Sequence, residues 1–183
     1  MRVIGGEAKG RKLVSVSGEG TRPITDRVKE SLFNILAPRV MDSAVLDLFA
    51  GTGGVGIEAL SRGAELAVFV DSDRRAIRAT RRNLDITDLA DRAEVYQRDA
   101  FQFIRGWQGE PFDLIYVAPP QYHELWERAL RELEGGPLLA SGCWVIAQIH
   151  PKEYRDLALG GLALVDLRRY GSTTLCFYER AEV

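Results

Sequence analysis

The sequence predicts an α/β protein built on a mostly parallel sheet of seven strands. Short apolar runs suited to buried strands alternate with amphipathic helical segments along most of the chain. A glycine-rich turn at 51–56 joins a central strand to a helix, as in doubly wound sheets. Two final strands, 162–167 and 174–178, flank a short turn at 170–172 and predict an antiparallel pair that closes the sheet.

Composition indicates one globular domain. The chain has 183 residues, of which 46% are hydrophobic and 27% charged, enough for a sizeable core. It contains no apolar run of the roughly 18 residues that a membrane span needs and no signal-peptide pattern, so we expect a soluble cytoplasmic protein. We also expect it to be a monomer. Cys143 and Cys176 lie in apolar segments and are expected to be buried free thiols. His123 and His150 lack ligand spacing with a cysteine, so no metal is expected.

The glycine turn indicates a nucleoside-binding site. Gly51, Gly53 and Gly56 fit the pattern G-x-G-x-x-G between a strand and a helix, whose N-terminus directs free backbone amides at a ligand. Asp71 follows Gly51 by twenty residues, at the end of the second apolar strand. That spacing suits a carboxylate that binds ribose hydroxyls.

Asp47 indicates which nucleoside ligand is bound. It lies four residues before Gly51, where its charge would repel the pyrophosphate of a dinucleotide and attract an ammonium group. S-adenosylmethionine (SAM) carries such an ammonium and no phosphate. The run from Asp47 to Gly53 resembles the first motif of SAM-dependent methyltransferases. An NAD-type oxidoreductase is a less favoured alternative.

The N-terminal part of the chain predicts a basic β-hairpin arm over residues 1–20, before a main domain at 21–183. Segments 2–4 and 12–14 are strand-like and are joined by a turn rich in glycine and charge. Residues 1–39 carry eight basic side chains against four acidic ones, whereas the remainder is net acidic. This asymmetry is typical of a phosphate-binding extension, the alternative being a merely solvated surface.

Three helices and a strand are expected next. The first helix begins at Thr25 or Asp26 and ends before Pro38, and the second begins at Val55. An amphipathic helix at 73–84 turns its arginines to solvent. A third strand at 93–96 leads to Asp99-Ala100, where Asp99 is expected to cap the following helix, to accept a hydrogen bond from an adenine amine, or both.

The fourth strand, 112–117, is apolar throughout and is expected to be central. It runs into Ala118-Pro119-Pro120-Gln121-Tyr122, a rigid loop beside the glycine turn, in the crevice where open α/β sheets bind ligands. The alternative is a plain connecting loop. A helix at 122–133 and a fifth strand at 143–149 follow.

Together these segments resemble the bacterial guanine-N2 methyltransferases of small-subunit ribosomal RNA, the RsmD-type family, which have a Rossmann-like SAM-dependent methyltransferase fold. The resemblance covers nearly the whole chain. It rests on Arg2-Val3-Ile4-Gly5-Gly6 with Gly10-Arg11-Lys12-Leu13, on residues 21–34, on the glycine motif and on Tyr170-Gly171-Ser172-Thr173.

The resemblance implies a set of site residues. SAM would be held at its methionine end by residues 47–53, at its ribose by Asp71 and at its adenine by Asp99. The cofactor residues so implied are Asp47, Phe49, Ala50, Gly51, Thr52, Gly53, Asp71, Ser72, Asp99 and Ala100. The catalytic residues so implied, on the loop whose Pro119 and Pro120 would face the target base, are Ala118, Pro119, Pro120, Gln121 and Tyr122. The residues expected to bind ribosomal RNA, or a partly assembled small subunit, are Arg2, Lys9, Arg11, Lys12 and Arg22.

Ala118 departs from the family pattern, in which Asp or Asn precedes Pro-Pro and an aromatic residue follows. The usual side chain accepts the target amine's protons, which frees a lone pair that is otherwise delocalised into the purine ring. Losing one charged hydrogen bond costs roughly 1.5–3 kcal/mol, about one to two powers of ten in rate. Gln121 or Tyr122 would replace part of the lost contacts. The second interpretation is therefore an RNA- and SAM-binding protein with decayed activity or an altered target base.

Overall fold

The computed structural model describes residues 1–16 and 23–181. The strands are β1 (Ala44–Leu48), β2 (Leu66–Asp71), β3 (Ala93–Gln97), β4 (Phe112–Val117), β5 (Leu139–Ile149), β6 (Leu162–Tyr170) and β7 (Thr173–Arg180). The α-helices are α1 (Asp26–Val40), α2 (Gly54–Ser61), α3 (Arg74–Thr87), α4 (Ala100–Gly106) and α5 (Leu125–Leu133).

The strands form one seven-stranded sheet in the order β3-β2-β1-β4-β5-β7-β6. Neighbouring strands from β3 to β5 are parallel, whereas β7 runs antiparallel to both β5 and β6. This confirms the predicted fold class and the closing antiparallel pair. The strand order reverses between β1 and β4, and this reversal opens a crevice at the carboxyl ends of these two strands.

Two apolar layers cover the sheet, which explains the nearly continuous apolar runs of its central strands. On one face, Phe33 of α1 and Leu60 of α2 pack towards Phe69 of β2, and all three are at most 1% exposed. On the other face, Phe103 of α4 and Leu130 of α5 are equally buried. Both faces of the sheet are therefore core.

Several helix and strand limits differ from the prediction. Helix α1 starts after Thr25, whose hydroxyl caps the Val28 amide, but it passes through Pro38 to the buried Val40. A proline within the last turn is tolerated there because the apolar face of the helix continues to Val40. Helix α5 starts three residues later than expected, because Tyr122 and Glu124 adopt left-handed backbone conformations that cannot be helical.

Helix α3 and strand β5 are both longer than predicted. Helix α3 extends to Thr87, where the Thr87 hydroxyl bonds back to the Asn83 carbonyl at 2.8 Å. Strand β5 starts at Leu139 rather than Cys143. Cys143 and Cys176 are both free and buried, and burial raises the pKa of each thiol to about 12.

The N-terminal segment, residues 1–16, makes a narrow hairpin that packs on the domain. Its pairing is a single antiparallel bridge between Arg2 and Lys12, rather than the two full strands expected. Val3 and Leu13 are buried against the body. Gly6 approaches α2 so closely that a Cβ atom there would lie 1.8 Å from the Ser61 carbonyl oxygen. The hairpin is too small to be stable alone, and packing against α2 supplies the missing apolar contacts.

A fully buried carboxylate, that of Glu58 in α2, fixes this segment. Its two oxygens accept hydrogen bonds from the backbone amides of Ile4 at 2.8 Å and Gly5 at 2.9 Å. Arg62, one turn further along α2, donates to it at 2.8 Å. Because the Ile4 and Gly5 amides have lost their water, an uncharged apolar residue at this position would leave both unsatisfied.

Lys29 of α1 completes the Glu58 cluster. Its ammonium lies 3.3 Å from the Glu58 carboxylate, and both side chains have no exposed surface. The ammonium also donates to the Arg2 carbonyl at 2.6 Å. Burial lowers the pKa of Lys29, and the Glu58 charge opposes that shift. The cluster joins α1, α2 and the N-terminal segment.

We predict that Glu58→Gln lowers the free energy of unfolding by about 3–5 kcal/mol, because it leaves the buried Lys29 ammonium without a counter-charge. Urea unfolding measures the change. Folding already lowers the pKa of Lys29 through burial, against the opposing charge of Glu58. We expect it to fall further in this variant, which lacks that charge. The deficit should therefore shrink as the pH rises from 7 towards 10, since the folded state then needs no charged lysine. Glu65, which is exposed, supplies the control: Glu65→Gln should change the free energy of unfolding by no more than about 0.5 kcal/mol. Equal losses in the two variants would contradict a stabilising role for the Glu58 cluster.

Candidate active site

A cavity of about 480 Å³ lies at the carboxyl ends of β1, β2 and β4. It brings together most of the site residues expected from the sequence. The expected cofactor residues that line it are Asp47, Phe49, Ala50, Gly51, Thr52, Asp71, Ser72 and Asp99. The expected catalytic residues that line it are Ala118, Pro119, Pro120 and Gln121.

Three expected residues are not part of the cavity wall. Gly53 is the N-cap of α2 and supports the wall through its backbone. Ala100 is the first, buried residue of α4. Tyr122 points outward, with 60% of its surface exposed, and its ring lies 5.6 Å from that of His150. Tyr122 therefore lies outside the cavity wall, and a catalytic role for it stays a prediction.

The glycine turn forms the cofactor end of the cavity. Gly51 and Gly53 have φ angles of +58° and +80°, which a residue with a Cβ atom adopts only at a cost. The Gly51 amide donates to one oxygen of Asp71 at 2.9 Å, and the Asp73 amide donates to the other at 2.9 Å. Asp71 thereby ties the turn after β1 to the loop after β2, and its carboxylate is held at the cavity surface.

Asp47 lies at the bottom of the turn and is 2% exposed. It accepts a hydrogen bond from the Gly56 amide at 3.1 Å. Burial, helped by the nearby charge of Asp71, raises the pKa of Asp47 to about 8. A buried acid of this kind favours a cationic ligand group, because a positive charge beside it would offset the cost of its ionisation.

Asp99 caps α4, as expected. Its side chain accepts hydrogen bonds from the amides of Phe101 and Gln102, each at 3.0 Å. It also lines the cavity together with Phe101, whose ring makes an edge contact with Phe49 at 6.1 Å. Capping therefore does not remove Asp99 from the ligand space, and the adenine contact stays a prediction.

The Pro-Pro loop forms the opposite wall. The Ala118 amide donates to the Leu48 carbonyl at 3.4 Å, so the loop starts beside the glycine turn. Pro119 is buried and Pro120 exposed. The Tyr122 amide donates to Glu153 at 2.7 Å, which anchors the far end of the loop. The loop is rigid at both ends, and Ala118 contributes no polar side chain to the cavity.

Five polar residues that line the cavity in the described part of the chain were not predicted as site residues from the sequence: Ser15, Asp73, Tyr116, Arg128 and Gln148. Tyr116 of β4 and Gln148 of β5 both line it, and the Tyr116 hydroxyl donates a hydrogen bond to the Gln148 side-chain oxygen. Burial raises the pKa of Tyr116 well above its usual value, with a contribution from the Asp47 charge. Both residues lie within strand runs that are otherwise apolar, and the sequence alone does not indicate that they share a cavity.

The expected RNA-binding residues lie apart from the cavity. Arg2, Lys9, Arg11 and Lys12 are exposed, and none of them lines it. Arg11 donates to the Ile86 carbonyl at the end of α3. The expectation for Arg22 falls outside the described residues.

Within residues 1–16 and 23–181, the structure has neither a metal-ion site nor a membrane-spanning helix. No group of three or more His, Cys, Asp or Glu side chains in these ranges is placed to bind a metal ion. No helix in the same ranges has the length and apolar character needed to cross a bilayer.

The sheet order, the antiparallel β7 and the cavity above the glycine turn define a SAM-dependent methyltransferase fold. The family model described as "Conserved hypothetical protein 95" matches residues 1–179, and the chain belongs to that family. The Escherichia coli protein yhhF has a solved structure that superimposes with a TM-score of 0.87 at 34% identity, covering 98% of this chain and 97% of that one.

Named relatives agree with this assignment. Bacillus subtilis YlbH is 37% identical over 188 residues, covering 98% of this chain and 99% of the relative. Ribosomal RNA small subunit methyltransferase D of Escherichia coli is 41% identical over 140 residues, covering 76% of this chain and 70% of the relative. The resemblance to the RsmD-type family is confirmed.

Proposed function

We propose that this protein transfers a methyl group from SAM to the N2 amino group of a guanine in small-subunit ribosomal RNA. The observation that carries the proposal is the single cavity shared by Asp47, Asp71 and the Pro-Pro loop. It offers a site for an amino-acid ammonium and a ribose beside a rigid wall suited to a flat base. The names of the relatives support ribosomal RNA methylation, and the guanine N2 position is our inference from the family resemblance.

Each wall of the cavity has a part in this reaction. Asp47 would pair with the ammonium of SAM, Asp71 with Ser72 would bind its ribose hydroxyls, and Asp99 would accept from its adenine amine. SAM, once bound, supplies a methyl group activated by a positively charged sulfur. The chain aligns the acceptor and excludes water, which is the larger part of catalysis for such a donor.

The exposed basic residues of the N-terminal segment are proposed to bind RNA phosphates. Because the segment is held on α2 by Glu58, and α2 begins at the glycine turn, bound RNA would have a fixed position relative to the cavity. Either naked RNA or a partly assembled small subunit would fit this arrangement.

Ala118 favours a second candidate function. A family member without an acceptor at this position would bind RNA and SAM yet transfer slowly, or would act on another base. An NAD-type oxidoreductase is disfavoured because the buried Asp47 gains nothing from a pyrophosphate, whose negative charge would oppose its ionisation further, whereas a cation would favour it.

Incubation with labelled SAM and unmodified small-subunit RNA, free or partly assembled, followed by nucleoside analysis, tests the proposal. We expect label in N2-methylguanosine. Label in another nucleoside would mean that the target is not the guanine N2 amino group. Binding of SAM and RNA without methyl transfer would support the second candidate function. Tighter binding of NAD than of SAM would contradict the methyltransferase assignment of the cavity.

We predict that replacing Lys9, Arg11 and Lys12 together by Gln weakens RNA binding and reduces the slope of log affinity against log salt by about 0.7–0.9 per lost phosphate contact. SAM affinity should hardly change, since none of the three lines the cavity. The matched control replaces three exposed arginines of α3, Arg78, Arg81 and Arg82, by Gln. An equal loss of slope in both variants would mean that RNA binding is not specific to the N-terminal segment.

We also predict that SAM binding releases a proton from Asp47. With a pKa of about 8, this acid is largely protonated in the free protein at pH 6–7, whereas the bound ammonium favours its carboxylate. The dissociation constant for SAM should fall about tenfold per pH unit between pH 6 and 7.5. It should rise again at higher pH, because the SAM ammonium, with a pKa near 8, then loses its own proton. Calorimetry in buffers of different ionisation enthalpy counts the protons. Asp47→Asn should bind weakly and release none; a pH-independent affinity of the unmodified protein would contradict the ion pair.

A further inference from the structure

Gln148 lies beside the position that lacks its usual polar side chain. The register of the parallel strands pairs Tyr116 of β4 with Ile146 of β5, and Val117 with Ala147. Continuing that register places Ala118 opposite Gln148, and the alternation of side chains along strands puts Tyr116, Ala118 and Gln148 on one face. All three line the cavity. A short side chain at 118 therefore leaves space in the cavity beside Gln148.

The Gln148 amide has a defined direction. Its oxygen accepts a hydrogen bond from the Tyr116 hydroxyl, which is on the same cavity wall. Tyr116 is buried, with 4% of its surface exposed, so its hydroxyl is fixed by packing. An amide oxygen has two lone pairs, and one of them remains for a ligand in the cavity.

The proposed reaction needs an acceptor at this place. A purine amine has its lone pair delocalised into the ring, and a hydrogen bond accepted from one N–H helps to localise that pair on nitrogen. Ala118 cannot accept such a bond through its side chain. Resting on the function proposed above, we propose that the Gln148 side-chain oxygen accepts the hydrogen bond from the target amine and that Tyr116 positions it.

The amide acts as a hydrogen-bond acceptor and not as a base. The amine nitrogen forms a bond to the methyl carbon as the carbon–sulfur bond breaks, and the electron pair of that bond stays on sulfur. The nitrogen then carries one proton more than a neutral secondary amine, and water takes that proton. Gln148 stabilises the partial positive charge on the N–H during transfer and is unchanged afterwards.

Gln121 is the competing residue, because it too carries an amide and lines the cavity. It lies on the loop beyond the two prolines, whereas Gln148 is on a strand and is directed by Tyr116. If Gln121 is the acceptor, Gln121→Ala slows transfer and Gln148→Leu does not.

Single-turnover methylation at saturating SAM tests the proposal. Gln148→Leu should lower the rate about tenfold to a hundredfold, the value of one hydrogen bond to a charged centre. Affinities for SAM and RNA should stay within about twofold, since one polar contact to the target is a small part of either interface. Gln102→Leu, at an exposed glutamine outside the cavity, is the matched control and should keep the full rate. An unchanged rate for Gln148→Leu overturns the proposal.

Two further variants keep the test decisive if Gln148→Leu folds poorly. Gln148→Glu keeps an acceptor and should sustain transfer near pH 8, with a rate that falls as the new carboxylate is protonated at lower pH. Tyr116→Phe should lower kcat several-fold without changing KM for RNA, as expected of a positioning residue. A slow, pH-independent Gln148→Glu or a fully active Tyr116→Phe would contradict the assignment. An unmodified protein that binds SAM but methylates no guanine would instead refute the proposed function.

Discussion

One buried carboxylate, that of Glu58, determines how the N-terminal segment is placed relative to the glycine turn. It lies in the helix that begins at the glycine turn, and it satisfies the backbone of the N-terminal segment and the ammonium of Lys29 at once. Burial of the two charged groups, Glu58 and Lys29, is favourable only when their charges and hydrogen bonds are matched closely, so this geometry tolerates little displacement. The basic segment and the cofactor turn consequently belong to one rigid body.

Two acids of the cavity, Asp71 and Asp47, lie in different environments. Asp71 accepts hydrogen bonds from two backbone amides, those of Gly51 and Asp73, at the surface of the cavity. Asp47 is buried with the Gly56 amide as its donor, and its pKa is raised to about 8. A neutral hydroxyl-bearing group suits the first environment and a cation suits the second. The two ends of an amino-acid nucleoside differ in this same way.

Much of the fold could be predicted because strand pattern and turn chemistry are local. The apolar run of β4 and the glycine turn place most of the cavity residues without any knowledge of tertiary contacts. Lys29 and Gln148 could not be predicted in this way, since a lysine on a helix face and a glutamine near a strand end usually point to solvent. Their roles depend on partners 29 and 32 positions away along the chain, Glu58 and Tyr116. The outward position of Tyr122 could not be predicted either, because the local sequence carries no signal for its left-handed backbone conformation.

The insertion of β7 between β5 and β6 also constrains the order in which the sheet is assembled. Strand β6 precedes β7 in the chain, yet its sheet hydrogen bonds are made to β7. It therefore cannot join the parallel strands until β7 has been synthesised and paired with β5. Long-range pairing of this kind slows folding relative to local contacts. Until that step, the far side of β5 is an open strand edge, and the nascent chain is most exposed to wrong pairing there.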